Sequence, residues 1–246
     1  MSEPAFPSTW NKESKPHKFC PGCGQSLALK ILGVAIQELK IQNEVLFATD
    51  IGCSLLSWDM FNLESVQTHH GRTIPLVRGF KLARPETIVI GFIGDGGGYA
   101  IGAQHLLNSA TGNDKITVIL INNANYAMTG GQLAPTTLLG QKTTTTPLGR
   151  KIVQGHPFKG PEMLKEVSFE SAYLARGIAS NYQELLKMFK KALQNQIDGR
   201  GFSFVEVLAM CPVNWHLDAQ ESLDFSEKEM TKIYPLGELK CPEKLS

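Results

Sequence analysis

Apolar residues follow two different patterns along this chain. From Leu27 to Leu39 they recur at helical spacing (Leu27, Ile31, Val34, Leu39), which predicts an amphipathic helix. Two later runs, Ile88 to Ile93 and Lys115 to Ile121, are almost continuously apolar and rich in Val and Ile. That is the pattern of strands buried on both faces of a parallel sheet. A helix over 99–111, reached through a loop at 94–98, would join them into a βαβ unit. Glu44 to Thr49 predicts a short strand ending at Asp50-Ile-Gly-Cys53, and a further helix is expected to stop near Ala83, before Arg84-Pro85. Beyond a turn-rich stretch reaching about Pro161, the pattern predicts a strand near Phe169, a helix from Asn181 to Gln196 and a strand from Ser203 to Leu208. The run Thr143 to Thr146 reads either as a solvated, compositionally biased loop or as one that contacts a partner or covers a substrate. The expected fold class is α/β, a mostly parallel sheet with helices on both faces. It would be a single domain over 1–246, with an extended N-terminal arm (1–18) and a polar C-terminal tail (217–246) holding a short helix near Ser226 to Ile233.

Charge narrows the partners. With 24 basic and 23 acidic residues, composition makes no case for nucleic acid or an anionic membrane. No apolar run approaches the roughly 18 residues of a membrane span, and Met1-Ser-Glu-Pro-Ala-Phe-Pro lacks a basic-then-apolar signal pattern. The expected location is the cytoplasm. There, five cysteines argue for metal or redox chemistry over a disulfide framework.

The chemistry collects at strand ends. The first apolar run ends in Gly94-Asp-Gly96 and the second in Asn122-Asn123, and in a parallel sheet both would open on the ligand-binding edge. A P-loop is excluded because Gly94-Asp-Gly-Gly-Gly-Tyr99 has no lysine at the required place. The dinucleotide fingerprint is disfavoured, since Tyr99 stands at its third glycine and the Asn pair stands where an acid should be. The thiamine-diphosphate motif, Gly-Asp-Gly followed by Asn-Asn, fits. Asp95 offers an anionic oxygen and Asn123 a neutral one to Mg²⁺. The flanking glycines let backbone amides approach a phosphate at a helix start. A plain βα turn with a capping Asp explains Gly-Asp-Gly but not the paired Asn. His69-His-Gly-Arg72 adds a cation, with Arg72 a phosphate or partner contact and His70 a donor. Thr129-Gly-Gly-Gln132 would wrap the Mg-diphosphate end. Cys20-Pro-Gly-Cys23 is half a zinc site, a redox disulfide or half an iron–sulfur cluster. Zinc normally takes a second close pair, whereas Cys53 and Cys211 stand singly on separate loops. Four such thiolates can converge on a [4Fe–4S] cluster. Spacing favours the cluster and leaves zinc open.

Cys20-Pro-Gly-Cys-Gly24, Ile51-Gly-Cys-Ser54, His70-Gly-Arg72, Gly94-Asp-Gly96, Asn122-Asn123, Tyr126-Ala-Met-Thr-Gly-Gly-Gln132 and Cys211-Pro212 occur in one order over residues 19–216. In this the chain resembles the thiamine-diphosphate-binding β subunit of 2-oxoacid:ferredoxin oxidoreductases. The resemblance implies a thiamine-diphosphate-binding fold, with Ile51, Gly52, Ser54, His70, Gly71, Arg72, Gly94, Asp95, Gly96, Asn123, Thr129 and Gly130 against the cofactor. It implies Mg²⁺ on Asp95, Asn123 and the Asn125 carbonyl, and one [4Fe–4S] cluster on Cys20, Cys23, Cys53 and Cys211. The implied reaction is oxidative decarboxylation of a 2-oxoacid to acyl-CoA and CO₂, with electrons passing through the cluster to ferredoxin. An α subunit, with γ or δ subunits where present, would be the partner, and the carboxylate that activates the cofactor would come from α. No catalytic acid or base is therefore assigned within this chain. Ala134-Pro-Thr-Thr137, Thr143 to Arg150 and Phe202 to Val207 look most like subunits acting on branched-chain 2-oxoacids such as 3-methyl-2-oxobutanoate (2-ketoisovalerate). Leu55, Leu56 and Trp58 would suit such a substrate, or the core. Gly97 departs from the pattern, which often has an acid there, and Cys241 has no counterpart. Two alternatives are a non-redox thiamine decarboxylase or synthase subunit and a zinc-stabilised assembly subunit.

Overall fold

The computed structural model describes residues 6–242. Seven strands form one sheet: β1 (Val45–Thr49), β2 (Glu64–Gln67), β3 (Ile88–Gly94), β4 (Thr117–Asn122), β5 (Tyr173–Ile178), β6 (Ser203–Leu208) and β7 (Gly237–Lys240). Their spatial order is β2-β1-β3-β4-β6-β5-β7. Every neighbouring pair is parallel except β5 and β7. The helices are α1 (Gly24–Leu39), α2 (Thr73–Ala83), α3 (Ala103–Thr111), α4 (Gly160–Val167) and α5 (Tyr182–Ile197), then the short α6 (Pro212–Trp215), α7 (Ala219–Asp224) and α8 (Thr231–Ile233). Among the described residues no helix is long and apolar enough to cross a membrane.

Successive strand residues alternate between two cores, because side chains along a strand point to opposite faces. Phe47, Ile90, Phe92, Ile119, Ile121 and Val207 pack with Leu29, Leu32 and Ile36 of α1 and Leu193 of α5. Leu46, Val89, Val118, Leu120 and Phe204 pack with Val77 of α2, Leu106 of α3 and Leu164 of α4. Both faces being covered, the central strands read as unbroken Val/Ile runs, as expected for an α/β doubly covered sheet.

Several elements differ from the sequence reading. The loop expected at 94–98 is absent. β3 runs through Gly94 and the backbone turns straight into helix, with a π-helical turn over Gly97–Ile101 ahead of α3. Five glycines over residues 94–102 make that tight entry sterically open. The strand expected near Phe169 lies at Tyr173–Ile178, since its Arg176 and Gly177 interrupt the apolar pattern. α4 begins where the stretch read as turns ends, on Gly160-Pro161, a favourable helix opening that was not expected. β2 is an exposed edge with no apolar run to betray it. The region from Leu217 is packed rather than a free tail. It is helical over most of Ala219–Ile233 and adds β7, with Met230 and Tyr234 fully buried. Of the N-terminal arm, residues 1–5 lie outside the described residues, and the remainder lies on the surface anchored by Trp10, buried and bridged to Phe61.

A polar cluster sits inside the sheet. Arg176 on β5 lies opposite Glu206 on β6 and donates to its Oε2, both side chains being fully buried. The Arg176 guanidinium also grips Glu162 of α4 with two hydrogen bonds of 2.7 Å. Glu206 Oε1 accepts from Tyr99 OH at 2.9 Å and from Asn122 Nδ2 at 3.1 Å. Removing one member of a buried ion pair strands the other charge. Arg176→Leu is expected to lower unfolding free energy by about 3–5 kcal/mol, measured by urea titration, and the clear expectation is a far smaller loss for Glu162→Gln, whose carboxylate is partly exposed.

Candidate functional site

From β1 the chain passes outward to β2, then returns to the other side of β1 to lay down β3 and β4. The carboxyl ends of β1 and β3 thus flank a topological switch point, the place where open α/β sheets bind ligands. A cleft opens there. Its lining includes the anticipated Ile51, Gly52, Cys53, Ser54, His70, Gly94, Asp95, Gly96, Asn123, Asn125 and Thr129. Gln25, Gly97, Tyr126, Ala127 and Met128 also line it and were not assigned from sequence. Three expected residues stand outside this lining. Gly71 turns its amide to Asp50 (2.7 Å), and Gly130, at φ 108°, bends the following loop. Arg72 reaches across the rim to His105 Nε2 (3.1 Å) and the Ile101 carbonyl. It is therefore not brought to the cleft in this chain.

Asp95 follows β3 at the cleft floor, nearly fully buried. Its Oδ1 accepts from the Gly96 amide at 2.8 Å and its Oδ2 from the Thr136 hydroxyl. Burial pushes its carboxyl up to about 7, against those two hydrogen bonds. A Cβ on Gly96 would fall on the Tyr126 ring, so glycine is what lets this turn pass beneath the 124–132 loop. The two asparagines divide the work. Asn122 points into the sheet toward Glu206, and its Oδ1 accepts from the Ala124 amide at 3.1 Å, bracing a residue held at φ 56°. Asn123 lines the cleft, its carbonyl accepting from Asn125 Nδ2 at 2.7 Å and from Trp215 Nε1 at 3.0 Å. The threonine run is not a free loop. Thr143 and Thr146 are buried and joined at 2.6 Å, Thr144 N–H donates to the Gly131 carbonyl and Thr145 Oγ1 accepts from Leu133 N–H. The run thereby props the Thr129 loop from behind.

A second cavity adjoins the first. Cys20, Cys23, Cys53 and Cys211 all line it, with Leu56, Met128 and Asn214 among its other walls. Gln25, Cys53, Asn123, Ala127 and Met128 border both cavities. Gln25 is 3% exposed, and its Oε1 has no hydrogen-bond partner among the described residues. The convergence has a local cause. Gly24 N–H bonds to the Met210 carbonyl at 3.0 Å, and a Cβ at Gly24 would lie 2.6 Å from Met210 N, so only glycine seats the first cysteine turn against the segment carrying Cys211. Burial, with neighbouring thiols adding to it, pushes Cys23 and Cys53 up to about 12, and burial raises Cys211 too. Among the described residues no three Cys, His, Asp or Glu side chains stand close enough to hold one metal ion.

The model of the thiamine pyrophosphate enzyme, C-terminal TPP binding domain, matches residues 50–207. The chain is similar to the ketoisovalerate oxidoreductase subunit VorA of Methanothermobacter thermautotrophicus, 36% identical over 89% of this chain and 46% of that protein. It is similar also to the 2-oxoglutarate synthase subunit KorB of Methanocaldococcus jannaschii, 38% identical over 80% of this chain and 70% of that protein. The chain thus spans about half the length of its ketoisovalerate relatives. A solved 2-oxoglutarate:ferredoxin oxidoreductase from Magnetococcus marinus shares the fold, with a TM-score of 0.79 at 24% identity, covering 98% of this chain and 86% of that one.

The raised carboxyl of Asp95 fixes a sign. Its pKa is higher folded than unfolded, so the metal-free chain is penalised for ionising it as pH rises from 3.8 toward about 7. Asp95→Asn is expected to be more stable than wild type at about pH 8 in chelator, by on the order of a few kcal/mol. The gap should narrow on moving to about pH 5, where the folded wild type already holds its proton; thermal melts at the two pH values check it.

Proposed function

The chain belongs to the thiamine-pyrophosphate-binding subunits of the 2-oxoacid:ferredoxin oxidoreductases, and from that premise we propose that it carries half of such an active site. It holds thiamine diphosphate with Mg²⁺ in the switch-point cleft and one [4Fe–4S] cluster in the cysteine cavity. The overall reaction is oxidative decarboxylation of a 2-oxoacid to acyl-CoA and CO₂, with ferredoxin as electron acceptor. One observation carries the reading: the four cysteines line a cavity that shares Cys53, Asn123 and Gln25 with the Asp95 cleft. A non-redox thiamine enzyme would have no use for that juxtaposition.

The residues present suit both groups. Asp95 and Asn123 would ligate Mg²⁺ together with the Asn125 carbonyl, an all-oxygen set that a hard cation favours. Gly94 leaves its backbone open, and Gly96 and Gly97 line the cleft at the start of a helix, where a diphosphate is favoured. Cys20, Cys23, Cys53 and Cys211 line one cavity. Thiolates brought together from separate segments suit a cluster of several atoms, whereas zinc normally takes two close pairs. When bound, thiamine diphosphate supplies the electron-sink chemistry that 2-oxoacid decarboxylation requires.

This chain's own part is to bind, shield and orient. Asp95 would meet the cation as a carboxylate, with Thr136 and the Gly96 amide fixing its two oxygens, and Asn122 braces the turn that presents Asn123. Ala127 and Met128 stand between the cleft and the cysteine cavity, lining both. The activating carboxylate comes from an α subunit, which closes the other side of the cofactor, with coenzyme A and ferredoxin as further partners. As for substrate, Ile51, Leu56 and Met128 line the two cavities, and no Lys or Arg does so among the described residues. That lining suits an apolar side chain, as in 3-methyl-2-oxobutanoate, and offers nothing to a second carboxylate.

Purified anaerobically, the chain is expected to be brown, to bleach with dithionite and to carry four irons, with Cys211→Ala losing most of them. A colourless protein holding one zinc would end the proposal. Assembled with its partner subunits, it should turn over 3-methyl-2-oxobutanoate faster than 2-oxoglutarate by on the order of tenfold or more in kcat/KM; the reverse preference would reject the substrate assignment.

A further inference from the structure

Asp50, immediately after β1, is fully buried, and none of the motifs gives it a role. Its Oδ1 accepts from the Gly71 amide at 2.7 Å, and its Oδ2 lies 3.1 Å from His70 Nδ1. One carboxylate at the end of β1 therefore holds the whole turn that leads into α2. The same turn is pressed against the helix start after β3, since a Cβ at Gly71 would fall on Ile101. At Gly97 the fit is sharper still. A Cβ there would coincide with Asp50 Oδ2 and would stand 3.6 Å from His70 Cε1. The Asp50 carboxylate fills the space in which a side chain at 97 would begin. Position 97 is also where the chain departs from the pattern it resembles, having glycine in place of an acid.

We propose that Asp50 is a positioning residue: its carboxylate replaces, from the neighbouring strand, the acid missing at 97, and it accepts from His70 Nδ1–H, so that the other ring nitrogen faces the cleft and, with the ring protonated, donates Nε2–H to an anionic phosphate oxygen there. The inference rests on the thiamine-diphosphate reading of that cleft. His70 lines the cleft together with Asp95, Gly97 and Thr129. Its side chain is 35% exposed, whereas that of Asp50 is 0% exposed, so the imidazole has one buried edge and one open edge. A ring bonded through one nitrogen to a buried carboxylate has the tautomer and direction of its other nitrogen fixed. The negative charge beside the diphosphate is thus relocated, and the relocation gives His70 an orientation that glycine at 97 alone would not.

The test uses the full chain labelled with ¹⁵N-histidine, the His70 signals being identified by their loss in His70→Gln. At about pH 8.5, where imidazoles are neutral, the ligand-free wild type is expected to show the Nδ1–H tautomer. In Asp50→Asn the amide oxygen still accepts from Gly71 N–H, which turns the amide NH₂ toward His70 Nδ1 and drives the ring to the Nε2–H tautomer. One tautomer in both proteins would overturn the proposal. Calorimetry with thiamine diphosphate and Mg²⁺ supplies the second arm. Asp50→Gly should bind on the order of tenfold more weakly than wild type, and Asp50→Gly/Gly97→Asp should recover to within about threefold. A double variant binding no tighter than Asp50→Gly would overturn the replacement of one acid by the other. Wild-type protein that does not bind thiamine diphosphate would sink the functional reading instead, and the tautomer measurement would then decide the Asp50–His70 pairing by itself.

Discussion

A carboxylate in the middle of the sheet, Glu206, is the point on which the rest is hung. Arg176 neutralises it from the adjacent strand, and its remaining oxygen is shared between Tyr99 and Asn122. Tyr99 lies in the helix entry after β3, and Asn122 ends β4 next to the Asn123 that lines the cleft. A buried charge is tolerated only when paired and hydrogen-bonded, which makes the arrangement intolerant of small shifts. Through it, β4, β5, β6, α4 and the helix entry after β3 share one registry. Tyr99 is pinned as well by α4, where a Cβ on Gly160 would collide with its hydroxyl. The loops above are consequently placed by a core feature that reaches them through Tyr99 and Asn122.

A second line of support runs closer to the site. Tyr234, from the C-terminal region, donates to the Thr136 carbonyl, and the Thr136 hydroxyl donates to Asp95. Arg150 gathers the carbonyls of Pro135, Thr137 and His156 and so organises the long connection between β4 and α4. This connection has little regular structure, yet its backbone carbonyls are satisfied by a buried guanidinium. That is how a stretch of turns acquires the rigidity to hold a carboxylate whose burial it must also enforce.

What the sequence disclosed, and what it hid, follows from the same physics. The parallel core was legible because strands covered on both faces must be apolar throughout, as in β3 and β4. Gly-Asp-Gly, the Asn pair and the cysteines were legible because their chemistry demands those residue types, and eleven of the expected positions from Ile51 to Thr129 do line the cleft. β5 was displaced in the reading by Arg176, whose partner Glu206 is thirty residues away and silent in any local pattern. β2 and β7, at the sheet edges, carry exposed or half-exposed residues and so lack the signal on which strands are found. Gln25 and Asp50 carry no motif of their own. Only burial, an unpartnered oxygen in one case and a blocked Cβ position in the other, marks them. Arg72, expected as a phosphate or partner contact, stands outside the cleft lining with its guanidinium turned to His105 at the rim.

The segment from Asp50 to Ser54 has the consequence reaching furthest. Within five residues it supplies the buried carboxylate beneath His70, a glycine at φ 115°, and the cysteine that borders both cavities. Ser54 Oγ donates back to the Asp50 carbonyl at 3.2 Å, closing the segment into a single rigid turn. The two compartments share this one stiff turn, so a substitution within it is felt in both at once. Any coupling that passes through it between two occupants is reciprocal, each changing the other's affinity by the same factor.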